Sequence, residues 1–406
     1  MNLRKQLLSQ IYFKDINFNK YSLENMLIFC KENVEYYKKF KGLELRDFPV
    51  LTKEIIAKEF NNLQSFDINK RGAFKNSSGG STGEPVVFMQ DMEYLYAQRY
   101  ITYEQKSLTG YSFGEPLIKL WGNDQEILTD KKNYKAILKN YLKNIKFLNS
   151  YKIPYEKIHE YIHFINKNEP KLLVAYVESI YQLAKFAEDN DIYVKPLNAV
   201  MTSAGTLYPN IKKTIERVFQ TKVFNRYGSR EVGNIASTHS YDTSEMIVTK
   251  GVYLEAIDEN GNILSDGVQG ELLVTSLVNY SMPLIRYNIG DRGIIKTDGG
   301  KQILTKLTGR TSDIFKTSNG SVVHGEYFSD LFYYKKWVFK YQVIQKEFNY
   351  MLVKIATKEK PIEDDMNHIL MGIKKVMGAS CKVEFEILDD IPQLKSGKFR
   401  YTISQI

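Results

Sequence analysis

The sequence predicts an α/β protein with two domains: a large N-terminal one over residues 1–312, built of α/β layers plus a small β-barrel subdomain at about 245–308, and a small C-terminal α+β domain over 313–406. Three observations lead there. Between Leu117 and Leu207 strand-like apolar runs alternate with longer helical patterns, which argues for a sheet with covering helices. Near Glu245 the style changes to short strands separated by Asp-Glu-Asn-Gly and Asp-Gly turns. Beyond Gly309-Arg310-Thr311-Ser312-Asp313 the stretch Ile314 to Ile406 mixes strands with one helix and is long enough to fold as a unit.

Taken in order, the first seventy residues contain a single glycine, Gly42, and read as helical; Thr52 is placed to cap a helix that runs to about Asn61. Strands are expected at Pro116–Trp121, Lys171–Ala175 and Ala199–Ser203, with helices at Glu178–Asp189 and Asn210–Phe219. The spacing of Ile137-Leu138, Tyr141-Leu142 and Ile145 predicts a helix. Short strands follow at Met246–Thr249, Val252–Ile257, Gly270–Val278 and Arg292–Thr297. The C-terminal part should place strands at Lys340–Gln345, Tyr350–Thr357 and Cys381–Ile387 around a helix at Ile362–Met377.

The 406 residues, 43% hydrophobic and 13% aromatic, can bury a large core, which excludes a disordered or fibrous chain. Lys and Arg number 56 against 47 Asp and Glu, a net charge of +9, which admits nucleic acid, an anionic membrane surface or a polyanionic substrate. Ten lysines against four acids fall within Asp130–Lys171, but without the aromatic and glycine pattern of a nucleic-acid groove, so this reads as a solvated face and no nucleic-acid partner is expected. There is no signal-peptide pattern at the N-terminus and no apolar run long enough for a membrane span. Cys30 and Cys381 stand alone, which fits a reducing, cytoplasmic setting.

Five short strings carry chemistry. Ser77-Ser78-Gly79-Gly80-Ser81-Thr82-Gly83-Glu84-Pro85 alternates hydroxyls with glycines, so its backbone could approach phosphate oxygens; a plain turn is the other reading, and no Lys-Ser/Thr follows as in the common nucleotide loop. Asn225-Arg226-Tyr227-Gly228-Ser229-Arg230-Glu231-Val232-Gly233 sets a ring able to stack on a base beside a carboxylate able to hold a divalent cation. Arg286-Tyr287-Asn288-Ile289-Gly290-Asp291 offers a carboxylate for ribose hydroxyls. Gly309–Asp313 and Pro392-Gln393-Leu394-Lys395-Ser396-Gly397-Lys398-Phe399-Arg400 complete the set. His159-Glu160-Tyr161-Ile162-His163 matches the zinc-protease pattern, against which stands a plain amphipathic helix; His239, His324 and His368 are isolated. Trp121 could line a pocket or belong to the core.

In this order, together with Val174-Ala175-Tyr176-Val177-Glu178-Ser179 and Thr202-Ser203-Ala204-Gly205-Thr206, the strings resemble the adenylate-forming superfamily of acyl-CoA synthetases, adenylation domains and luciferases. They look most like its phenylacetate–CoA ligase-like and coenzyme F390 synthetase-like branch, called CapK-like and found with capsule genes. The resemblance implies that Ser77, Ser78, Gly80, Ser81, Thr82 and Gly83 hold ATP phosphates, with Thr82 near Mg²⁺. It implies that Ser203, Ala204 and Gly205 line the adenine, that Tyr227, Gly228 and Ser229 flank it, and that Glu231 binds Mg²⁺. Asp291 and Arg310 would bind ribose, Asp313 would be the hinge, and Lys398 would contact the attacking carboxylate and the α-phosphate.

The implied reaction activates a small-molecule carboxylate with ATP and passes it to a thiol of CoA or of an acyl-carrier protein. Adenylyl transfer to a hydroxyl, or a nucleotide-binding scaffold in capsule assembly, are the alternatives. Arg230, Val86 and Gly79 depart from the residues many relatives carry at those places, and Gly320 falls one position later than a glycine that often lines the thiol tunnel.

Overall fold

The computed structural model describes residues 16–78, 86–121, 140–150, 153, 155–310, 314–318, 322–332, 335–392 and 399–406. Gly79, Gly80, Ser81, Thr82 and Gly83 of the first string, Asp313, Gly320, Lys398 and most of the lysine-rich stretch before Asn140 lie outside the described residues.

The described residues begin with a helical stretch that contains α1 (Leu23–Asn33), α2 (Glu35–Lys38) and α3 (Lys53–Lys58). Thr52 does cap α3, accepting the Ile55 N–H at 3.4 Å. A hairpin of β1 (Phe74–Ser77) and β2 (Val87–Gln90) follows, then α4 (Met92–Ser107), whose N-cap Asp91 accepts from the Tyr94 N–H at 2.7 Å.

The parallel strands come next: β3 (Leu117–Leu120), β4 (Ile145–Leu148), β5 (Leu172–Tyr176), β6 (Ala199–Ser203) and β7 (Lys222–Ser229), with α5 (Ile158–Asn168), α6 (Val177–Asp189) and α7 (Pro209–Val218) between them. Strands β5 and β6 are buried along their whole length, as central parallel strands require. Helix α6 buries Val177, Ile180, Leu183, Ala184 and Ala187 on one stripe, and α7 starts on Pro209, whose missing N–H costs nothing at a helix start.

Ile145 differs from the helical reading. The helix that includes Tyr141 stops where Asn144 adopts φ 55°, and Ile145 pairs in β4 with Leu117 of β3. A backbone turned left-handed cannot continue the helix, and alternation then places Ile145 against the sheet while Tyr141 remains exposed.

The antiparallel strands are β8 (Gly233–Thr238), β9 (Met246–Val248), β10 (Val252–Ile257), β11 (Gln269–Ser276), β12 (Tyr287–Asp298) and β13 (Lys301–Arg310). Among the described residues one sheet of 11 strands runs in the order β10-β11-β12-β13-β9-β8-β7-β6-β5-β3-β4, and it changes from parallel to antiparallel at β7, which pairs parallel with β6 and antiparallel with β8.

The C-terminal elements are β14 (Ile314–Lys316), β15 (Val322–His324), α8 (Gly325–Asp330), β16 (Lys340–Glu347), β17 (Tyr350–Ala356), α9 (Glu363–Met377), β18 (Lys382–Leu388) and β19 (Thr402–Ser404). Four of them form a mixed sheet in the order β18-β17-β16-β19. Its core holds Phe328, Val353, Ile369 and Ile373.

The main sheet has separate cores on its two faces. Ile118, Leu173, Val200 and Val223 pack under α6 and α7 on one face; Leu117, Val174, Met201 and Phe224 face the other way, with Trp121 beside them. The largest core joins the opening helices, through Met26, Tyr37, Phe48 and Ile56, to Val274, Leu284 and Tyr287 of the antiparallel half. A buried ion pair anchors it: Arg286 donates through Nε to Glu255 at 3.1 Å and through Nη1 to the Phe48 carbonyl at 3.0 Å. Among the described residues no helix is long and apolar enough to cross a membrane.

Candidate active site

In an open α/β sheet the carboxyl ends of the parallel strands gather the functional loops. Here Trp121 follows β3, Tyr176 ends β5, Ser203 ends β6 and Ser229 ends β7, and all four line one cleft of about 520 Å³. Asp291 of β12 and the C-terminal residues Phe399, Arg400, Tyr401 and Thr402 line the same cleft.

The second string forms the last residues of β7 and the turn into β8. Ser229 pairs with Gly233, so Arg230, Glu231 and Val232 form the turn, and Gly233 takes φ +82°, which closes it. Two amide side chains pin this turn. Gln90 donates to the Arg230 carbonyl at 2.9 Å, and Gln98 accepts from the backbone and side-chain N–H groups of Asn234, both at 2.9 Å. Gln90 in turn accepts from Asn76 of β1 at 3.0 Å. One network therefore ties the strand that leads into the Ser/Gly loop to the turn that carries Glu231.

Ser78 closes the base of that loop: its N–H donates to the Val86 carbonyl and its Oγ accepts the Val86 N–H, both at 2.9 Å. It is buried and lines the cleft, while Ser77 pairs with Val87 and does not. Val86, one of the departures from the family's pattern, packs in the core.

Two tyrosine hydroxyls hold the two carboxylates. Tyr227 donates to Asp291 Oδ2 at 2.7 Å, and the fully buried Tyr287 donates to Glu231 Oε1 at 3.2 Å. Glu231 is 7% exposed, yet it lines the cleft. Gly228 lies where an added Cβ would stand 2.5 Å from the Gly233 carbonyl, so only glycine fits beside the turn. Ala204 takes φ 66°, unusual for a residue with a Cβ, and turns the chain sharply after β6 so that Ser203, Ala204 and Gly205 all reach the cleft. Arg310 pairs with Asp291 across β12 and β13.

Of the residues singled out from sequence, Ser78, Ser203, Ala204, Gly205, Tyr227, Gly228, Ser229, Glu231 and Asp291 converge on the cleft. His159 and His163 are exposed on α5 and do not line the cleft, and His239 and His368 are exposed as well. Among the described residues no three His, Cys, Asp or Glu side chains are grouped to hold a metal.

Sequence reading missed Asn76, Gln90 and Gln98, isolated amides without a local pattern. It quoted Glu178 and Arg226 without giving them roles, yet both line the cleft. Burial pushes the Glu178 carboxyl up to about 7, an effect that Lys340 opposes and Asp390 reinforces. Arg226 stacks its guanidinium 5.5 Å from the Trp121 ring, which itself lies 4.2 Å from that of Tyr176.

Comparison with known proteins fits this geometry. Residues 315–405 match the family model described as the CapK C-terminal domain. Protein CapK of Staphylococcus aureus is 26% identical over 412 residues, spanning 94% of this chain and 88% of that protein. A 2-hydroxyisobutyryl-CoA ligase, solved in its postadenylation state with R3-HIB-AMP, superposes with a TM-score of 0.73 at 14% identity, over 96% of this chain and 88% of that one. The O-succinylbenzoate coenzyme A synthetase of Bacillus subtilis, solved with AMP, gives a TM-score of 0.54 at 16% identity, over 80% of this chain and 67% of that one. The chain carries a CapK-type C-terminal domain on the fold of the adenylate-forming CoA ligases, the superfamily that its ordered motifs resemble.

Proposed function

We propose that this protein is an adenylate-forming acid–thiol ligase of the phenylacetate–CoA ligase-like kind. It activates a small carboxylic acid with ATP, releases pyrophosphate, and transfers the acyl group to a thiol of CoA or of an acyl-carrier protein, in the cytoplasm, in building a capsule polysaccharide. The observation that carries this reading is the meeting, in one cleft, of Ser78, Ser203, Tyr227, Glu231 and Asp291 with Phe399 and Arg400, the residues that directly follow Lys398.

Ser78 holds the base of the loop whose Gly80, Ser81, Thr82 and Gly83 bind the phosphates. Ser203, Ala204, Gly205 and Gly228 offer backbone and little side chain to a planar base, and Tyr227 covers it. Asp291, with Arg310 opposite, accepts from ribose hydroxyls. Glu231 suits Mg²⁺ because it is a hard oxygen donor whose Oε1 is already oriented by one tyrosine hydroxyl. Thr82 would hold the ion together with Glu231, and when bound it would supply charge neutralisation to the phosphates. Lys398 places its charge where negative charge grows, between the attacking carboxylate and the α-phosphate. The C-terminal residues over the cleft exclude water from the mixed anhydride.

The test is Lys398→Ala. ATP–pyrophosphate exchange should fall at least about 100-fold while ATP binding and folding persist, as expected for loss of a preorganised charge. Full exchange in the variant would refute the assignment.

A further inference from the structure

At the entrance to β12 Arg286 takes φ 52°, in the left-handed region that residues with a Cβ rarely adopt. Backbone and side chain both hold this kink. The Arg286 N–H donates to Thr275 Oγ1 at 3.0 Å, and its carbonyl accepts the Leu51 N–H at 3.0 Å. The Leu51 carbonyl accepts from Asn288 at 2.9 Å, so Leu51 bridges the strand at Tyr287. The guanidinium reaches across to β10, where Nε donates to both Glu255 oxygens at 3.1 and 3.3 Å, and Nη1 donates to the Phe48 carbonyl at 3.0 Å. The two charged side chains are only 6% and 3% exposed. Such a pair is a poor source of stability, because both charges give up water, and among the described residues Arg286 Nη2 finds no acceptor. A strained backbone joined to a costly ion pair persists where the two fix a geometry.

What they fix is the next residue. Tyr287 is fully buried, and its hydroxyl donates to Glu231 Oε1 at 3.2 Å. Four residues further along β12, Asp291 accepts from the Tyr227 hydroxyl at 2.7 Å. Tyr227 belongs to β7 and Glu231 to the turn that follows it, so one strand meets the same hairpin twice, each time through a hydroxyl. Relaxing the kink at Arg286 would redirect the Cα–Cβ bond of Tyr287 and draw its hydroxyl off Glu231. Resting on the reading above, in which Glu231 holds Mg²⁺, we propose that Arg286, Glu255 and Tyr287 are positioning residues of the metal site. The buried clamp sets the kink, the kink aims the Tyr287 hydroxyl, and the hydroxyl fixes the orientation of the Glu231 carboxylate before an ion arrives. Partners that orient a metal ligand by a hydrogen bond are worth about 10- to 100-fold in metal affinity.

The experiment follows Mn²⁺ binding to the full chain through the electron paramagnetic resonance signal of the free ion, with the non-hydrolysable analogue α,β-methylene-ATP present. Calorimetry of AMP without metal and circular dichroism accompany it. Tyr287→Phe removes one hydroxyl and keeps the ring; it should weaken Mn²⁺ binding about 10- to 100-fold and leave AMP affinity and folding as they are. Arg286→Met joined to Glu255→Leu replaces the ion pair by apolar side chains, a change that buried pairs often tolerate, and should weaken Mn²⁺ binding by a similar factor even at a native thermal midpoint. Arg286→Lys keeps a charge beside Glu255 without the fork and should lose less. Should the double variant not fold, Tyr287→Phe and Arg286→Lys decide. A clamp that serves the core alone lowers thermal midpoints and leaves native Mn²⁺ affinity in the folded variants. That result, or native Mn²⁺ affinity in Tyr287→Phe, overturns the positioning assignment and leaves the ligase reading standing. If the native protein takes up no Mn²⁺ beyond that held by the nucleotide, or if Glu231→Gln binds it as tightly, the metal role of Glu231 falls and the positioning assignment falls with it.

Discussion

Replacing Glu178 by Gln should stabilise the protein, and only on the alkaline side. Glu178 stands in the first turn of α6, is 9% exposed, and among the described residues its Oε2 has no hydrogen-bond partner. Burial raises its carboxyl from the ordinary 4.5 to about 7. Below 4.5 folded and unfolded chains both hold the proton, and the group contributes no pH dependence. Between 4.5 and about 7 the folded chain keeps a proton that the unfolded chain has released, so stability falls as pH rises; above 7 the full cost remains. At about 1.4 kcal/mol for each pH unit of displacement, the cost is roughly 3 kcal/mol. Gln keeps the shape and never ionises.

Urea unfolding at pH 5 and pH 8 reads the effect, with a denaturant slope of about 3 kcal/mol per M for a chain of this size. The Glu178→Gln midpoint should exceed that of the native protein by about 1 M at pH 8 and by little at pH 5. An equal shift at both pH values, or a Gln variant weaker at pH 8, would refute the reasoning. Because Lys340 begins β16 and Asp390 follows β18, the cost falls where the C-terminal sheet meets the cleft, and buffer pH should bias that contact.

Three further outcomes are expected. Asp291→Ala removes the acceptor of the Tyr227 hydroxyl and should weaken ATP binding about 10- to 100-fold by calorimetry, the range for a hydrogen bond to a charged group; unchanged affinity would count against the ribose role. Gly228→Ala forces a Cβ to 2.5 Å from a carbonyl oxygen and should cost about 1–3 kcal/mol, whereas at Gly205 the nearest atom, Val177 Cβ, lies at 3.2 Å and the same change should cost less; thermal unfolding ranks the two. The pair His159→Ala and His163→Ala, both exposed, should change stability by no more than about 0.5 kcal/mol, and metal analysis of native protein should find no stoichiometric zinc.

What could be read from the sequence was local. Thr52 before a helical run, the apolar stripe of α6, the unbroken apolar strands β5 and β6, and the Tyr227-Gly228 and Glu231 string all carry their meaning within a few residues. The Ser/Gly loop, Ser203, Glu231 and Asp291 could be assembled because their order resembles a known superfamily. What stayed hidden depends on partners far along the chain. Gln90 becomes a structural pin only because Arg230 folds against it, and Glu178 becomes an acid of raised pKa because the fold buries it, with Lys340 opposing the rise and Asp390 adding to it. Ile145 reads as helical because its spacing from Tyr141 is that of one turn. The left-handed Asn144 that separates them is a backbone property that residue type signals weakly.

The core shared by the opening helices and the antiparallel half bears on how the chain is made. Met26, Tyr37 and Ile56 bury themselves against Val274, Leu284 and Leu304. A ribosome adding about 5–20 residues per second needs more than about ten seconds to travel from one set to the other. The parallel strands and their helices, whose cores draw on the residues between, can settle meanwhile. The first helices must wait with apolar stripes uncovered, which makes them the segment on which chaperones should act, and the place where a slow codon or a truncation before Leu304 would leave nascent chains prone to aggregate.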